Sequence, residues 1–339
     1  MSEIAVVILN YNGCHYLKEF LPSVIAHSAE AEIIIADNAS TDDSANWLKE
    51  HHQLIRVIQL DKNYGFCEGY NLAISQIDHT YTVLLNSDVE VSPNWLNPLC
   101  LKLKQNPDVA AVQPKILQQK QKAYFEYAGA AGGFIDSMGY PFCRGRLFDF
   151  TEQDQGQYQQ EHKVFWTSGA CMMIRTQLYK EMGGLDADFF AHMEEIDLCW
   201  KLHRAGYNLY CIPQSTVYHV GGGTLSKTNP LKTYLNFRNN YDLISRHLKA
   251  SELSYKLPLR IIMDWSAAIL FLVNGLPKHA WALFKAQLHF FAKFNLILKK
   301  RKKLNHKLSQ PAIDTIYSGL VTFDYFLARK RKFSKLKMN

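Results

Sequence analysis

Three acidic side chains lie within four positions of the stretch FFAHMEEIDLCWKLHRAGY, which spans residues 189–207. Glu194, Glu195 and Asp197 come where the pattern predicts the start of a helix. The helix dipole favours acids in a first turn, so all three can be purely structural. A carboxylate fixed beside a substrate can also remove a proton from a hydroxyl group as a general base. This stretch alone leaves both interpretations open.

Asn and Asp residues also follow four apolar runs in the first 90 residues. Ligands of a doubly wound sheet bind outside the carboxyl ends of its strands, so these polar residues are predicted to share one site. The sequence has no GxGxxG or P-loop motif, which argues against a dinucleotide fingerprint. The pattern suits a nucleotide whose base and ribose are bound by side chains and whose diphosphate is bound through a metal. The four clusters are Asn10 to Asn12, Asp37 to Asp43, Asn63 to Gly65, and Asn86 to Asp88.

The elements that would carry these residues alternate along the first 120 positions. Runs rich in Val and Ile, such as IAVVILNY and EIIIADNAS, are typical of buried parallel strands, and stretches with helical spacing separate them. The alternation predicts an α/β, Rossmann-like fold with a mostly parallel sheet flanked by helices. Residues 120–165 are rich in Gly, Tyr, Phe and Gln, and predict long loops and irregular strands around an acceptor pocket. Strands return at WTSGACMMI and at YNLYCIPQSTVYHV.

Seven segments occur in the order found in family 2 glycosyltransferases, which the chain resembles over about residues 1–240. They are VVILNYN, IIIADNASTDDS, NYGFCEGYN, LLNSDVEV, SGACMMI, FFAHMEEIDLCWKLHRAGY and YHVGGGT. The similarity points to the rhamnosyltransferase-like branch, which has the GT-A fold. The resemblance implies an enzyme that transfers a sugar from a nucleoside-diphosphate sugar.

The resemblance also implies a donor site at the strand ends. Asp37 corresponds to the residue that reads the base by accepting the N3–H of uracil or thymine. Tyr11 corresponds to the ring that stacks on the base, and Leu9 lends backbone contacts nearby. Asn63 opens a helix whose N-terminus can face an anion, and Asn86 begins the NSD motif. A turn or helix-capping role is the structural alternative for Asp37.

The same resemblance predicts a metal site. Asp88 corresponds to the last acid of the DxD motif, which binds a divalent cation on the donor diphosphate, and His219 corresponds to a histidine ligand. Because Asn86 replaces the first acid, the motif carries one negative charge fewer. Oxygen ligands suit Mg²⁺, and a mixed oxygen and nitrogen site also accepts Mn²⁺. A histidine after an apolar strand is otherwise usually a core or capping residue.

The catalytic base is predicted in the acidic stretch. The family motif reads Glu-Asp-x-Asp-Leu, with the Asp of the Glu-Asp pair as the base, whereas this chain reads Glu-Glu-Ile-Asp-Leu. Glu195 therefore takes the base position, Glu194 is the second choice, and Asp197 has a structural or orienting role. The longer Glu side chain must be held by other groups, because small misplacements lower the rate.

Three further residues are candidates for substrate binding. By family analogy, Trp166 and Asp186 line the region where an acceptor would enter. Arg238, in NFRNN, could bring a positive charge to the diphosphate. The alternative for Arg238 is an ordinary surface residue on a basic helix.

The predicted reaction is inverting, metal-dependent transfer of a sugar from a UDP- or dTDP-linked donor. The acceptor would be a hydroxyl group of a glycan or lipid-linked acceptor in cell-surface polysaccharide synthesis. A QxxRW motif and a set of spanning helices are absent from the sequence, which disfavours a processive polymerase. Two alternatives stay open. One is a catalytically impaired sugar-nucleotide-binding or scaffold protein. The other is a sugar-nucleotide nucleotidyltransferase, which would need basic residues that ILNYNG lacks.

Charge divides the chain into two regions. Of the 38 Lys and Arg residues, 22 lie between Ser226 and Asn339, together with 5 of the 31 Asp and Glu residues. We therefore predict a GT-A domain over residues 1–225 and a basic helical region over 226–339. In the first domain, about residues 1–120 would bind the nucleotide and about 121–225 the acceptor.

The basic region predicts a partner of its own. KHAWALFKAQLHFFAKF, followed by KKRKK, has the pattern of a basic amphipathic helix lying on an anionic membrane. A helical lid packed on the catalytic domain is the alternative. Nucleic acid is not predicted, because no stacking platform accompanies the basic clusters. The start of the chain lacks a signal-peptide pattern, and seven cysteines without a CxxC pair suggest no disulfide framework. We therefore expect a cytoplasmic protein, peripheral at the inner face of the plasma membrane.

Overall fold

The computed structural model of the protein describes residues 2–221 and 229–338. Up to residue 118 the elements are β1 (Ile4–Asn10), α1 (Cys14–Ala26), β2 (Ala31–Asp37), α2 (Ser44–His51), β3 (Arg56–Gln59), α3 (Gly65–Ser75), β4 (Tyr81–Asn86), β5 (Val89–Val91), α4 (Leu96–Gln105) and β6 (Val109–Gln118). They are followed by β7 (Gly133–Asp136), β8 (Pro141–Cys143), β9 (Arg146–Leu147), β10 (Phe150–Thr151), β11 (His162–Lys163), β12 (Cys171–Arg175), α5 (Thr176–Glu181), α6 (Glu194–Arg204) and β13 (Asn208–His219). The last elements are α7 (Pro230–His247), α8 (Ala250–Val273), α9 (Pro277–Lys307), β14 (Ile316–Tyr317) and α10 (Val321–Phe326).

The main sheet of the described residues has nine strands in the order β11-β13-β6-β12-β4-β1-β2-β3, with β5 paired to β13. Strands β1 to β4 run parallel to one another, as the apolar runs predict. Strand β12, the predicted WTSGACMMI strand, lies antiparallel between β4 and β6, and beyond β6 the parallel β13 pairs antiparallel with both β5 and β11. The predicted α/β fold with helices on the sheet is confirmed.

Strand β1 shows why its sequence is apolar throughout. Val6 and Ile8 point to one face of the sheet and pack with side chains of α1 and α4. Ala5 and Val7 point to the other face and pack with side chains of α3 and α6. Because successive side chains of a strand alternate between faces, a strand covered on both sides needs apolar residues at every position. The polar Asn10 comes only where the strand leaves both cores.

The stretch 120–165 forms more regular structure than the sequence predicts. Strands β7 to β10 belong to a second sheet, of five strands, whose fifth strand is β14. Strand β14 runs parallel to β7, with Tyr317 beside Asp136. The expectation that the chain is all helix beyond Ser226 is therefore wrong at this point, because a short C-terminal strand completes the second sheet.

The long helices α7, α8 and α9 pack on one another, and α8 and α9 form an antiparallel hairpin. A buried ion pair fixes this hairpin, because the Asp264 carboxylate accepts hydrogen bonds from Arg260, Tyr140 and Tyr241. Within the described residues, the structure has no helix that combines the length and the apolarity needed to cross a membrane. The predicted boundary at residues 225 and 226 lies outside the described residues.

Candidate active site

The ends of β1 and β2 meet at Asn10 and Asp37, as the sequence predicts. Asn10 donates from Nδ2 to Asp37 Oδ1 at 3.1 Å, and Gln59 donates to Asp37 Oδ2 at 2.7 Å. The Ser40 amide also donates to Oδ2, which is the turn suggested as the structural alternative for Asp37. The carboxylate is fully buried, and Oδ1 keeps capacity for a second donor. Asp37 thus holds the turn, and its contact with a base stays a prediction.

The neighbouring donor candidates lie in the same region. Tyr11 follows β1 and is 48% exposed, so its ring is accessible for stacking. Leu9 packs against Gly69 of α3, where an added Cβ would come within 2.9 Å of its side chain. Asn63 accepts from the Gly65 amide at 2.8 Å and from the Asn38 side chain at 3.0 Å. Asn63 therefore shapes the turn that starts α3.

The predicted metal ligands are brought into direct contact. Strand β13 pairs with β5, and this pairing sets His219 beside the NSD segment. His219 Nε2 lies 3.1 Å from Asp88 Oδ1, and its Nδ1 lies 3.5 Å from Glu126 Oε2. Burial alone would lower the pKa of His219, but the Glu126 and Asp88 carboxylates outweigh this effect and raise the pKa to about 10. In turn, His219 lowers the pKa of the buried Glu126.

These residues fit a divalent cation. Asp88 supplies a carboxylate oxygen and His219 an imidazole nitrogen, and both side chains are buried. His219 Nδ1 has no hydrogen bond in the structure and faces Glu126, which is the position of a carboxylate that orients a histidine ligand. The described residues contain no group of three or more His, Cys, Asp or Glu side chains that could hold a metal by themselves. A cation at this place would therefore need ligands from its substrate or from water.

Glu126 was not identified from the sequence. It lies in the irregular stretch between β6 and β7, where a lone acid has no recognisable spacing to another ligand. Its amide donates to the carbonyl of Ile116 in β6, and its carboxylate accepts from the amide of Ala128. An added Cβ on Gly221 would approach its Oε1 to 2.7 Å. The segment after β13 therefore runs close to this carboxylate.

The first turn of α6 carries two carboxyl groups that pair with no cation among the residues that the structure describes. Glu194 and Glu195 each have one buried carboxyl oxygen without a hydrogen bond. Burial raises the pKa of Glu195 to about 7, although backbone N–H groups at the helix start oppose this shift. Burial and the charge of Glu195 raise the pKa of Glu194 well above its usual value. Glu195 is thus the carboxyl group of the pair that can gain and lose a proton near neutral pH.

The surroundings of Glu195 connect it to the strand ends. An added Cβ on Gly169 would lie 3.9 Å from the Cβ of Glu195 and 3.6 Å from Phe66. The next residue, Ala170, accepts a hydrogen bond from the amide of Asn86 at 3.0 Å. The candidate base and the NSD segment therefore meet at the turn that precedes β12.

Asp197 has a structural role, and a stronger one than the sequence suggests. The Asp197 carboxylate is fully buried and lies 2.6 Å from Lys201 Nζ, one turn along α6, and 2.8 Å from His247 Nε2. Although burial opposes ionisation, Lys201 and His247 lower the pKa of Asp197. The His247 ring stacks on Trp200 at 4.7 Å. Asp197 therefore joins α6 to the end of α7.

Arg238 binds the backbone before α6 in this structure, and its contact with a diphosphate stays a prediction. Its guanidinium group donates to the carbonyls of Asp188 and Phe189, at 3.0 and 2.7 Å. The neighbouring Asn239, which the sequence does not single out, is buried with its side-chain nitrogen within 3.0 Å of the carbonyls of Phe189, Ala191 and His192. Both residues fasten the segment that leads into α6.

This segment needs to be fastened because its backbone is strained. Phe190, His192 and Met193 have positive φ angles of 65°, 68° and 75°, a region that costs a non-glycine residue free energy. Phe190 is 57% exposed, and its ring lies beside Gly65 at the start of α3. An aromatic surface is thereby displayed next to the strand ends.

The two residues predicted at the acceptor opening are both engaged in contacts within the protein. Trp166 is buried, donates from Nε1 to the carbonyl of Phe134, and packs flat on Gly133, where a Cβ would clash at 2.0 Å. This position argues against contact with an acceptor, because the ring fills the core between β7 and the main sheet. Asp186 forms ion pairs with Arg246 and Lys300. Its carboxylate is occupied in joining the segment before α6 to α7 and α9.

Comparison with known proteins agrees with this architecture. The chain is similar to the crystal structure of GalNAc-T7 with UDP, GalNAc and Mn²⁺, with a TM-score of 0.56 and 16% identity over 73% of this chain and 48% of that one. It is also similar to a mannosyltransferase from Pyrobaculum calidifontis in complex with GDP-Man and Mn²⁺, with a TM-score of 0.52 and 15% identity over 89% and 85% of the two chains. These likenesses show the GT-A fold.

Sequence relatives include glycosyltransferases of archaea and bacteria. A low-salt glycan biosynthesis hexosyltransferase of Haloferax volcanii is 23% identical over 247 residues, 71% of this chain and 75% of its own length. An N-acetylglucosaminyl-diphospho-decaprenol L-rhamnosyltransferase of Mycobacterium tuberculosis is 23% identical over 231 residues, 64% of this chain and 75% of its own length. A rhamnosyltransferase of Escherichia coli is 22% identical over 225 residues, 64% of this chain and 83% of its own length.

The family model described as Glycosyl transferase family 2 matches residues 5–183, more than half of the chain. The matched segment contains Asp37 and Asp88 and ends before Glu195 and His219, and the roles of all four residues stay predictions. The chain belongs to glycosyl transferase family 2 and is a glycosyltransferase with the GT-A fold, in the rhamnosyltransferase-like branch.

Proposed function

We propose that the protein is an inverting, metal-dependent glycosyltransferase that moves a sugar from a UDP- or dTDP-linked donor to a hydroxyl group. The observation that carries this proposal is the pair formed by the buried Glu194 and the half-buried Glu195 at the start of α6, with the pKa of Glu195 raised to about 7. A general base works best when its pKa is close to the working pH, and Glu195 meets this condition.

Glu195 would remove the proton of the acceptor hydroxyl group as its oxygen attacks the anomeric carbon from the face opposite the diphosphate. The bond to the diphosphate then breaks, and no enzyme nucleophile takes part. Glu194 would stay protonated while Glu195 ionises, because two carboxylates so close together repel each other. A protonated Glu194 keeps the negative charge of the site on the residue that acts as the base.

Donor binding would use the strand ends and the metal residues. The exposed ring of Tyr11 can stack on the base, and Asp37 Oδ1 would accept the N3–H that uracil and thymine share once donor binding uncovers this buried carboxylate. A divalent cation, Mg²⁺ or Mn²⁺, held by Asp88 and His219 would neutralise the charge that develops on the leaving diphosphate. Glu126 would orient the imidazole of His219 for this role.

The acceptor that fits best is a sugar on a lipid diphosphate, used in the synthesis of a cell-surface glycan. Support for this class comes from the relatives, one of which is named for a diphospho-decaprenol acceptor. The exposed ring of Phe190 beside the start of α3 is suited to packing on a sugar. The sugar that is transferred follows from the donor assay below.

The test is donor turnover. The purified protein is offered UDP-, dTDP- and GDP-sugars with Mn²⁺ or Mg²⁺, with and without a lipid-diphosphate sugar acceptor, and released nucleoside diphosphate is measured. We expect metal-dependent release from one donor class, and loss of that release in Asp88→Ala and in Glu195→Gln. The exposed Glu50→Gln is the matched control and should keep wild-type turnover. Full turnover in Glu195→Gln would refute the assignment of the base.

A further inference from the structure

Helix α8 leaves a broad apolar face uncovered. Ile262, Ile269 and Val273 are 67%, 60% and 78% exposed, although each is a large aliphatic side chain. Monomeric soluble proteins seldom expose contiguous apolar patches of more than a few hundred Å², so a face of this kind marks an interaction surface. The exposed apolar residues of α8 and of the turn after it are Tyr255, Leu259, Ile262, Trp265, Ile269, Leu270, Leu272, Val273 and Leu276.

These side chains form one continuous surface with part of α9. Positions 255, 259, 262, 269 and 273 recur every three to seven residues, which is the spacing of a single helical face. The Trp265 ring lies 6.2 Å from Phe284 of α9, and Phe284 lies 5.5 Å from Trp281. Trp281 is 63% exposed. Indole rings therefore extend the apolar face of α8 onto the neighbouring helix.

The charge around this surface is of one sign. The α8–α9 hairpin has two acidic residues, and both are paired within α8: Glu252 with Lys256, and the buried Asp264 with Arg260. Lys278, Lys285 and Lys293, by contrast, are all exposed on α9. A second copy of the same surface would bring like charges together, whereas an anionic surface would neutralise them.

We propose that the α8–α9 hairpin is a membrane-docking surface that lies on an anionic lipid bilayer and places the apolar side chains of α8 among the lipid tails. Exposed Trp and Tyr rings favour the membrane–water interface, and lysines beside them attract anionic headgroups. The hairpin would lie in the interface and not cross it, in line with the lengths and apolarity of the described helices.

The exposed surface lies mainly on a different segment from the one that the sequence predicts as membrane-binding. In KKRKK, Lys300 pairs with Asp186 and Asp188, and Arg301 donates to the carbonyl of Ser245. Lys300 joins α9 to the segment before α6 and Arg301 joins α9 to α7, so these two cations are not available to lipid. Most of the exposed apolar surface belongs to α8, which precedes the segment that the sequence emphasises.

Vesicle binding tests this surface independently of the proposed transferase chemistry, because it needs neither donor nor acceptor. The full chain is sedimented with vesicles of phosphatidylcholine alone and of equal parts phosphatidylcholine and phosphatidylglycerol. We expect binding to the mixed vesicles, at least tenfold weaker binding of Ile262→Glu/Ile269→Glu, and about tenfold weaker binding of Lys278→Gln/Lys285→Gln. Leu54→Glu, which removes an exposed leucine far from the hairpin in sequence, is the matched control and should bind as wild type does.

A second measurement does not depend on the folding of the charged variants. Brominated lipid in the mixed vesicles should quench the tryptophan fluorescence of the wild type, and Trp265→Phe/Trp281→Phe should lose most of this quenching while it keeps its binding. Equal binding to both kinds of vesicle by wild type and by Ile262→Glu/Ile269→Glu would overturn the proposal. So would a wild-type dimer, seen by light scattering, that the same double variant dissociates while vesicle binding stays absent.

Discussion

Replacing Glu195 with Gln is predicted to stabilise the protein and to abolish most of its activity. Gln has nearly the same shape as Glu but cannot accept the proton of an acceptor hydroxyl group. Removal of a positioned general base typically lowers the rate by about 10² to 10⁴. The same substitution removes a carboxyl group that is costly to ionise, because one of its oxygens is buried without a partner.

The expected gain in stability follows from the pKa of Glu195, which rises from its usual 4.5 to about 7. Each pH unit between the pKa values of the folded and unfolded states is worth about 1.4 kcal/mol, so the full effect is about 3 kcal/mol. The folded pKa is the higher one, so the unfolded chain releases this proton more readily. Wild type therefore loses stability as the pH rises from 4.5 to 7, and the loss is constant above that. The gain in the free energy of unfolding of Glu195→Gln over wild type should therefore be absent near pH 4 and complete at pH 8.

Urea unfolding at pH 4 and pH 8 measures this difference, with Glu50→Gln as a surface control. We expect the free energy of unfolding of Glu195→Gln to exceed that of wild type by about 3 kcal/mol at pH 8 and by nothing measurable at pH 4. The kcat/KM of wild type should rise with pH and level off above an apparent pKa near 7. Equal stability of the two proteins at pH 8, or a pH-independent kcat/KM, would refute the reasoning.

Three other substitutions test the surroundings of the site. Glu126→Gln should raise the Mn²⁺ or Mg²⁺ concentration needed for half-maximal turnover about 10- to 100-fold, because it weakens the hold on His219; an unchanged metal titration would contradict this role. Asn239→Leu removes the side-chain donor to the carbonyls of Ala191 and His192 and should lower kcat more than the KM of the sugar donor, whereas the half-buried Asn236→Leu should leave both as they are. Asp197→Asn breaks a buried ion pair and should destabilise the protein by about 3–5 kcal/mol in urea unfolding, an effect that the exposed Asp43→Asn must not show.

The first half of the fold was predictable because its strands are buried on both faces. A run such as IAVVILN has to be apolar throughout, and its length and flanking polar residues mark where it ends. For the same reason, the meeting of Asn10 with Asp37 follows from the parallel order of β1 and β2. The antiparallel β12 could not be distinguished in this way, because a buried strand looks the same in either direction.

The residues that the sequence misjudged are those whose role depends on distant contacts. Glu126 becomes important only because His219 arrives from β13, and Asn239 only because the segment before α6 passes over α7. Trp166 was misplaced for the opposite reason: an aromatic residue in an irregular stretch can lie in an opening or in a core. Trp166 lies in the core, because Gly133 has no side chain and lets the Trp166 ring pack directly on the backbone of β7.

Helix α7 is the element through which docking and catalysis would influence each other. Its Asn239 holds the segment that positions Glu195, and its His247 contacts the buried Asp197 of the same acidic helix. Between these two residues, Tyr241 donates to Asp264, the carboxylate that fixes the α8–α9 hairpin. The contacts are buried and directional, so the hairpin has little freedom to move relative to α6. A protein held at a lipid surface by this hairpin would therefore present its base at a fixed height above the bilayer, which suits an acceptor whose reactive hydroxyl group is also tied to the lipid.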